Sequence, residues 1–189
     1  TVAYTPRGEL FSQAVFERMQ SLKNELLALE RVDTVNSLLD VPIFGDTQLL
    51  SISEDYDTLL SPGIDLEAAK LELTNSPVFR DAIVSPDGET AAMLVSFVLD
   101  ERYHTLLDTR QNLRLLRDTE GLSAEQQATL SQVSAEFDAY SALAAEQRHQ
   151  DISEIRNILS RYQDDATVYL GGAPMIADDL VTFVQNDLT

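Results

Sequence analysis

The stretch Arg80-Asp-Ala-Ile-Val-Ser-Pro-Asp-Gly-Glu-Thr-Ala-Ala-Met-Leu-Val-Ser-Phe-Val-Leu99 decides how this 189-residue chain is read. Two β-prone segments, Arg80 to Val84 and Thr90 to Leu99, flank Ser85-Pro86-Asp87-Gly88. Asp-Gly is a strong turn dipeptide, because glycine takes a positive φ at no steric cost. The stretch therefore predicts two strands joined by a turn. The second is nearly all apolar, which predicts a central strand covered on both faces.

Toward the N-terminus, Val2 to Thr5 reads as a strand and Pro6-Arg7-Gly8 as a turn. Val15, Met19, Leu22, Leu26 and Leu29 recur at helical spacing, with Phe11, Phe16 and Leu27 widening the stripe. This predicts a helix ending near Arg31. Val32 to Leu39 follows as a β-branched strand that Pro42 and Gly45 end. Residues 45 to 64 are irregular and acidic, carrying Asp46, Glu54, Asp55 and Asp57. Asp65 is placed to cap a short helix through Leu73, and Ser76-Pro77 breaks it.

Toward the C-terminus, Asp100 to Gln163 is helical in pattern. Tyr103, Leu106, Leu113 and Leu116 form one stripe, Gly121 is a natural C-cap, and Ser123 with Gln126 makes a capping box. Leu130, Val133, Phe137, Tyr140 and Ala144 then alternate at three and four, the heptad spacing of a helix packed on one neighbour. Together they predict an antiparallel, coiled-coil-like hairpin. The stripe breaks around Glu146 to Gln150 and resumes in a new phase at Ile152, Ile155, Leu159 and Tyr162. A bend or a change of packing partner is expected there. Ala166 to Leu170 is a further strand, ended by Gly171-Gly172-Ala173-Pro174. Ile176, Leu180, Phe183, Val184 and Leu188 then mark a final amphipathic helix.

With the helical hairpin set aside, the order reduces to β-α-β-β-α-β. The expected fold is thus α+β, a ferredoxin-like core with two helices on one sheet face and a long inserted antiparallel helical hairpin. Residues 1–102 would form the first part of the domain and 103–147 the insertion. Residues 148–189 would supply the closing helix, strand and terminal helix.

Composition narrows the function classes. A net charge of −19 argues against nucleic acid and against an anionic membrane surface, both of which call for clustered Lys and Arg. The absence of cysteine excludes disulfides and thiolate metal sites and suits a periplasmic setting. No apolar run approaches the ~20 residues of a membrane-spanning helix. The chain opens Thr1-Val2-Ala3-Tyr4, with neither a basic leader nor an initiator Met, so both ends read as boundaries within a longer protein.

Motifs for chemistry are weak. His104 and His149, the two histidines, lack HExxH-type spacing and read as solvated helix residues. Gly171-Gly172 follows a strand and precedes a helix but lacks the Lys-Ser/Thr or GxGxxG of a phosphate loop. Pro174 suits the start of the next helix. Asp164-Asp165, Asp178-Asp179 and Asp87-Gly88-Glu89 do not fit a calcium loop. No catalytic, cofactor-binding or metal-binding residue is assigned, no cofactor is expected, and substrate-binding residues are left unassigned.

Several stretches, in order, are similar to one family. These are Val32-Asp-Thr-Val-Asn-Ser-Leu-Leu, Ser76-Pro-Val-Phe, Ile83-Val-Ser-Pro-Asp-Gly-Glu-Thr-Ala-Ala, Ile155-Arg-Asn-Ile and Val168-Tyr-Leu-Gly-Gly-Ala-Pro-Met-Ile. The chain resembles the first extracytoplasmic porter loop of RND-superfamily exporters, in the MMPL-type or hydrophobe-exporter branch. The resemblance implies a domain on the periplasmic side of the bacterial inner membrane, excised from an integral membrane protein. That protein would be a proton-driven exporter of lipids or other hydrophobic compounds. Implied partners are the second periplasmic loop and the membrane domain of the same protein, with a second subunit as a further candidate. The proton relay of the family lies in membrane helices, so none of it maps onto this chain. The helical insertion departs from the plain porter pattern. The alternative is a periplasmic sensor or adaptor domain of a membrane signalling protein. An enzyme is not expected.

Overall fold

The computed structural model describes residues 1–44 and 56–187. In chain order the elements are β1 (Val2–Pro6), α1 (Gln13–Leu27), β2 (Val32–Asn36), a 3-10 turn (Leu38–Asp40), α2 (Leu66–Asn75), β3 (Ala91–Phe97), α3 (Glu101–Thr119), α4 (Ala124–Ser160), β4 (Ala166–Leu170) and α5 (Ala173–Asp187). The fold is mixed α+β, with a four-stranded, fully antiparallel sheet in the order β2-β3-β1-β4. The chain divides into two compact units, Thr1–Phe97 with Ser153–Thr189, and Val98–Ile152. Part of the irregular acidic stretch, residues 45–55 with Asp46, Glu54 and Asp55, lies outside the described residues.

In the first unit the strands alternate. Val2 and Tyr4 of β1, Ala91 and Met93 of β3, and Ala166 and Val168 of β4 turn inward. Phe16, Met19, Leu22 and Leu26 of α1 recur every three or four residues and bury one helical stripe on that inner face. Ile155, Ile158 and Leu159, in the last turns of α4, join the same core, as do Ala69 and Leu73 of α2. Pro6 closes the β1–β3 ladder. The partners Val2↔Met93 and Tyr4↔Ala91 place even-numbered β1 groups toward β3, and a proline there has no N–H to donate.

The stretch 80–99 departs from its expectation. Arg80 to Val84 is not a strand. Asp81 adopts a φ of 66°, a conformation Asp tolerates better than most residues, and its N–H donates to the Val84 carbonyl at 2.9 Å. The Phe79 carbonyl accepts from Ile83 N–H at 2.9 Å and Val84 N–H at 3.2 Å. These local turn bonds take the donors that a ladder would need. One bridge, Val84↔Ala91, remains of the expected pairing, and β3 pairs instead with β2. The Ser85–Gly88 turn does form, with Gly88 N–H donating to Ser85 O at 2.9 Å. Gly88 sits at φ 71°, a backbone conformation that favours glycine.

β3 is central but covered on one face only, because the core helices all pack against Ala91 and Met93 while Leu94 and Ser96 stay exposed. β2 ends at Asn36, three residues early. Ser37 and Asp40 form a reciprocal cap that bends Leu38–Asp40 into a 3-10 turn, the Ser37 N–H donating to Asp40 Oδ2 at 2.8 Å. α1 ends at Leu27 rather than near Arg31, Ala28 taking the C-cap position.

In the second unit, side chains of α3 contact those of the first part of α4. The unit's core is Leu106, Leu130, Phe137 and Ala144. The Tyr103 and Phe137 rings lie 5.2 Å apart, and the Arg110 guanidinium stacks 3.8 Å from the Phe137 centroid. Gly121, at φ 84°, ends α3, its N–H donating to Leu116 O at 3.1 Å. Ser123 and Gln126 cap α4 reciprocally at 2.8 and 3.2 Å. The helix is not interrupted at Glu146 to Gln150. α4 contains neither glycine nor proline and continues unbroken to Ser160. The phase change marks a new packing partner, as Ile155 and Leu159 belong to the sheet core.

Candidate functional site

The outer face of the sheet is the feature best suited to recognition. Opposite the core, the strands present Ala3 and Thr5 (β1), Thr34 and Asn36 (β2), Ala92, Leu94 and Ser96 (β3), and Thr167 and Tyr169 (β4). None of these is buried, and Tyr169 is 67% exposed. None is charged, on a chain in which 24% of residues are. The nearest carboxylate in the strands is Asp33, extruded at a bulge between Val32 and Thr34 on the edge strand. Depletion of charge is the compositional mark of an interface centre. Ala3, Ala92 and Tyr169 form one cross-strand row, since Ala3 pairs with both of the others. Beside that row, the segment Asp81–Pro86 walls an open, largely apolar groove of about 200 Å³, floored by Ala3 and Ala92. Thr5 and Thr90 bridge hydroxyl to hydroxyl at 2.8 Å near it.

A second depression, about 420 Å³, is polar. Arg7, Glu9 and Phe11 of the β1–α1 loop, Glu67 and Lys70 of α2, and Asp87 to Glu89 of the turn line it. Lys70 Nζ lies 5.9 Å from the Phe11 ring centroid. The Asp87 carboxyl is held below its usual range by hydrogen bonds from the Ser85 hydroxyl and then the Glu89 N–H. Both signs of charge are mixed around this depression, so it presents no single-sign field to a ligand.

The residues weighed for chemistry do not converge. His104 is exposed on α3, its ring edge-on to Tyr103 at 5.9 Å, and His149 is half-buried on α4. Asp165 pairs with Arg18, and Asp179 with Arg156 at 2.6 Å, with Asp178 4.0 Å from the same Arg156. Gly171 and Gly172 form the β4–α5 turn, Gly171 exchanging backbone bonds with Thr1 and Gly172 standing at φ 116°. Pro174 lies in the first turn of α5. Among the described residues, no cluster of three or more His, Cys, Asp or Glu is arranged to hold a metal ion. No described helix is long and apolar enough to cross a membrane.

Sequence reasoning missed one polar cluster. Tyr162 donates to Glu25 at 2.7 Å, Arg161 pairs with the same carboxylate, and Arg18 stacks 4.9 Å over the Tyr162 ring while pairing with Asp165. Its members are up to 147 residues apart, and no local pattern joins them. Burial, then the Glu25 bond, pushes the Tyr162 hydroxyl up to about 12, and the Tyr162 and Arg161 donors hold Glu25 below its usual range. The cluster ties α1 to the end of α4 and opens onto neither depression. No protein-family model, curated protein or solved structure matches this chain.

Proposed function

We propose that this chain is an extracytoplasmic porter domain of an RND-type exporter of the MMPL or hydrophobe branch, acting on the periplasmic side of the inner membrane. Its work is docking and guidance of hydrophobic or lipid cargo, not bond chemistry. The observation that carries the reading is the uncovered, uncharged sheet face around Ala3, Ala92, Leu94 and Tyr169 on an otherwise strongly acidic chain. Such a face suits a neighbouring subdomain, here the second periplasmic loop, with apolar cargo passing between them. The finer fold assignment belongs to the same proposal. β1 and β2 run the same way and are joined by α1, with β3 hydrogen-bonded between them, which supports a ferredoxin-like split β-α-β arrangement.

One observation favours a sensor or adaptor domain instead. α4 runs 37 residues without a break, and a continuous rod suits the relay of a displacement. The sequence flanking the domain separates the two readings. The exporter requires about a dozen membrane spans of about 20 apolar residues each and a second similar loop. A sensor requires a signalling module. On the chain itself, the neutral apolar fluorophore N-phenyl-1-naphthylamine should brighten on binding and lose most of that signal in Leu94→Glu and Ala92→Glu. Equal brightening in both variants would place apolar binding away from the sheet face and end the reading.

A further inference from the structure

The polar depression of the first unit holds one uncommitted cation and one fixed carboxylate. Lys70 projects from α2, half-buried, its ammonium 5.9 Å from the Phe11 ring centroid. It makes no ion pair among the described residues, although Glu9, Glu67, Asp87 and Glu89 line the same space. Asp87 is fixed by its own turn: Oδ1 accepts from the Ser85 hydroxyl and, at 3.0 Å, from the Glu89 N–H. Its Oδ2 accepts from no other residue among those described. Arg7, the second cation at the rim, already donates to the Gln163 carbonyl at 3.3 Å. Leu10 and Phe11, both buried, give the depression an apolar floor. Its volume of about 420 Å³ falls within the roughly 300 to 1,000 Å³ of small-molecule sites.

We propose that this depression binds a free dibasic amino acid of the arginine or lysine type, its carboxylate on Lys70 and its cationic groups on Asp87 and the surrounding glutamates. Charge selects this class. A simple anion would face the carboxylates of Glu9, Glu67, Asp87 and Glu89, and a simple cation would leave Lys70 unpaired. A ligand with one carboxylate and two cationic groups complements both signs in the proportion the depression offers. The ligand carboxylate and the Lys70 ammonium form a charge-assisted pair above the apolar floor, where water screens it less. The α-ammonium takes the open oxygen of Asp87, and the side-chain cation meets the exposed glutamates. The site uses none of the strand residues on the uncovered sheet face, so it stands or falls apart from the exporter reading.

Isothermal titration calorimetry with L-arginine tests it, beside agmatine, which lacks the carboxylate, and Nα-acetyl-L-arginine, which lacks the α-ammonium. L-Arginine should bind, and agmatine should bind at least about tenfold more weakly despite its higher charge, because it cannot pair with Lys70. Non-specific attraction to a chain of −19 gives the reverse order. Lys70→Met should remove the preference for L-arginine over agmatine. Asp87→Asn, which keeps the acceptor its turn needs, should weaken both ligands. Far-UV circular dichroism of both variants should match the parent. No binding of L-arginine at millimolar concentration overturns the proposal. So does agmatine binding as tightly as L-arginine, or a preference for L-arginine that survives Lys70→Met. Equal binding of Nα-acetyl-L-arginine would assign the site to a basic peptide terminus and overturn the free amino acid.

Discussion

At the scale of single residues, the caps were legible and the long-range polar cluster was not. Asp65 accepts from the N–H groups of Glu67 and Ala68 at 3.0 and 3.1 Å, and Gly121 and Ser123 occupy their expected caps. A cap is set by residues within four positions of each other, so its chemistry is written in the local sequence. Glu25 and Tyr162 meet only because two helices share one core. Their pairing sets a pH dependence. The Glu25 carboxyl is depressed in the fold, so its contribution is present above its usual value near 4.5 and fades as pH falls through the lower folded value. The Tyr162 hydroxyl is raised, so its contribution is present below 10 and fades as pH rises toward about 12. Tyr4, raised by burial, adds to the alkaline loss. Tyr162→Phe should cost about 1 kcal/mol at neutral pH and flatten the alkaline limb of a Tm-against-pH curve without abolishing it. An unchanged alkaline limb would show that the hydroxyl titrates freely in the folded state.

At the scale of elements, helices were read more faithfully than strands. The α1 stripe, α3 and α4 follow a period of 3.6 that few other structures satisfy. Strand identity depended on partners out of sight. Arg80 to Val84 has strand-like composition, but turn bonds to the Phe79 carbonyl divert it, and β3 finds β2 some 60 residues earlier. An apolar run is equally consistent with burial on one face or two, so the open side of β3 was invisible until the helices were placed. α4 shows the converse: the phase shift near Glu146 to Gln150 was legible, but the new neighbour that accompanies it, the sheet core met by Ile155 and Leu159, was not. Phe137 anchors the contact of α4 with α3, 6% exposed between Tyr103 and Arg110. Phe137→Ala should destabilise that unit by about 3 kcal/mol, seen as earlier loss of helical signal on heating. A melting curve matching the parent chain would mean that the stripe packs on nothing.

At the scale of the whole molecule, charge dominates. With −19 on 189 residues, like charges oppose compaction, while exposed pairs such as Arg18–Asp165 and Arg156–Asp179 return little. Raising NaCl from low to moderate concentration should therefore raise Tm by several degrees, because screening weakens the diffuse repulsion more than the contact pairs. A falling Tm would show that the ion pairs outweigh the repulsion. By itself the sequence determined the α+β class, the helices and their caps, the acidic surface and the lack of a local catalytic motif, because each rests on composition or on interactions a few residues long. Only the tertiary structure decided which face of the sheet the helices cover, that the uncovered face is free of charge, and that β2 and β4 are the outer strands of the sheet. Strand order and layer assignment arise from contacts between distant segments, and no stretch of sequence holds both sides of such a contact.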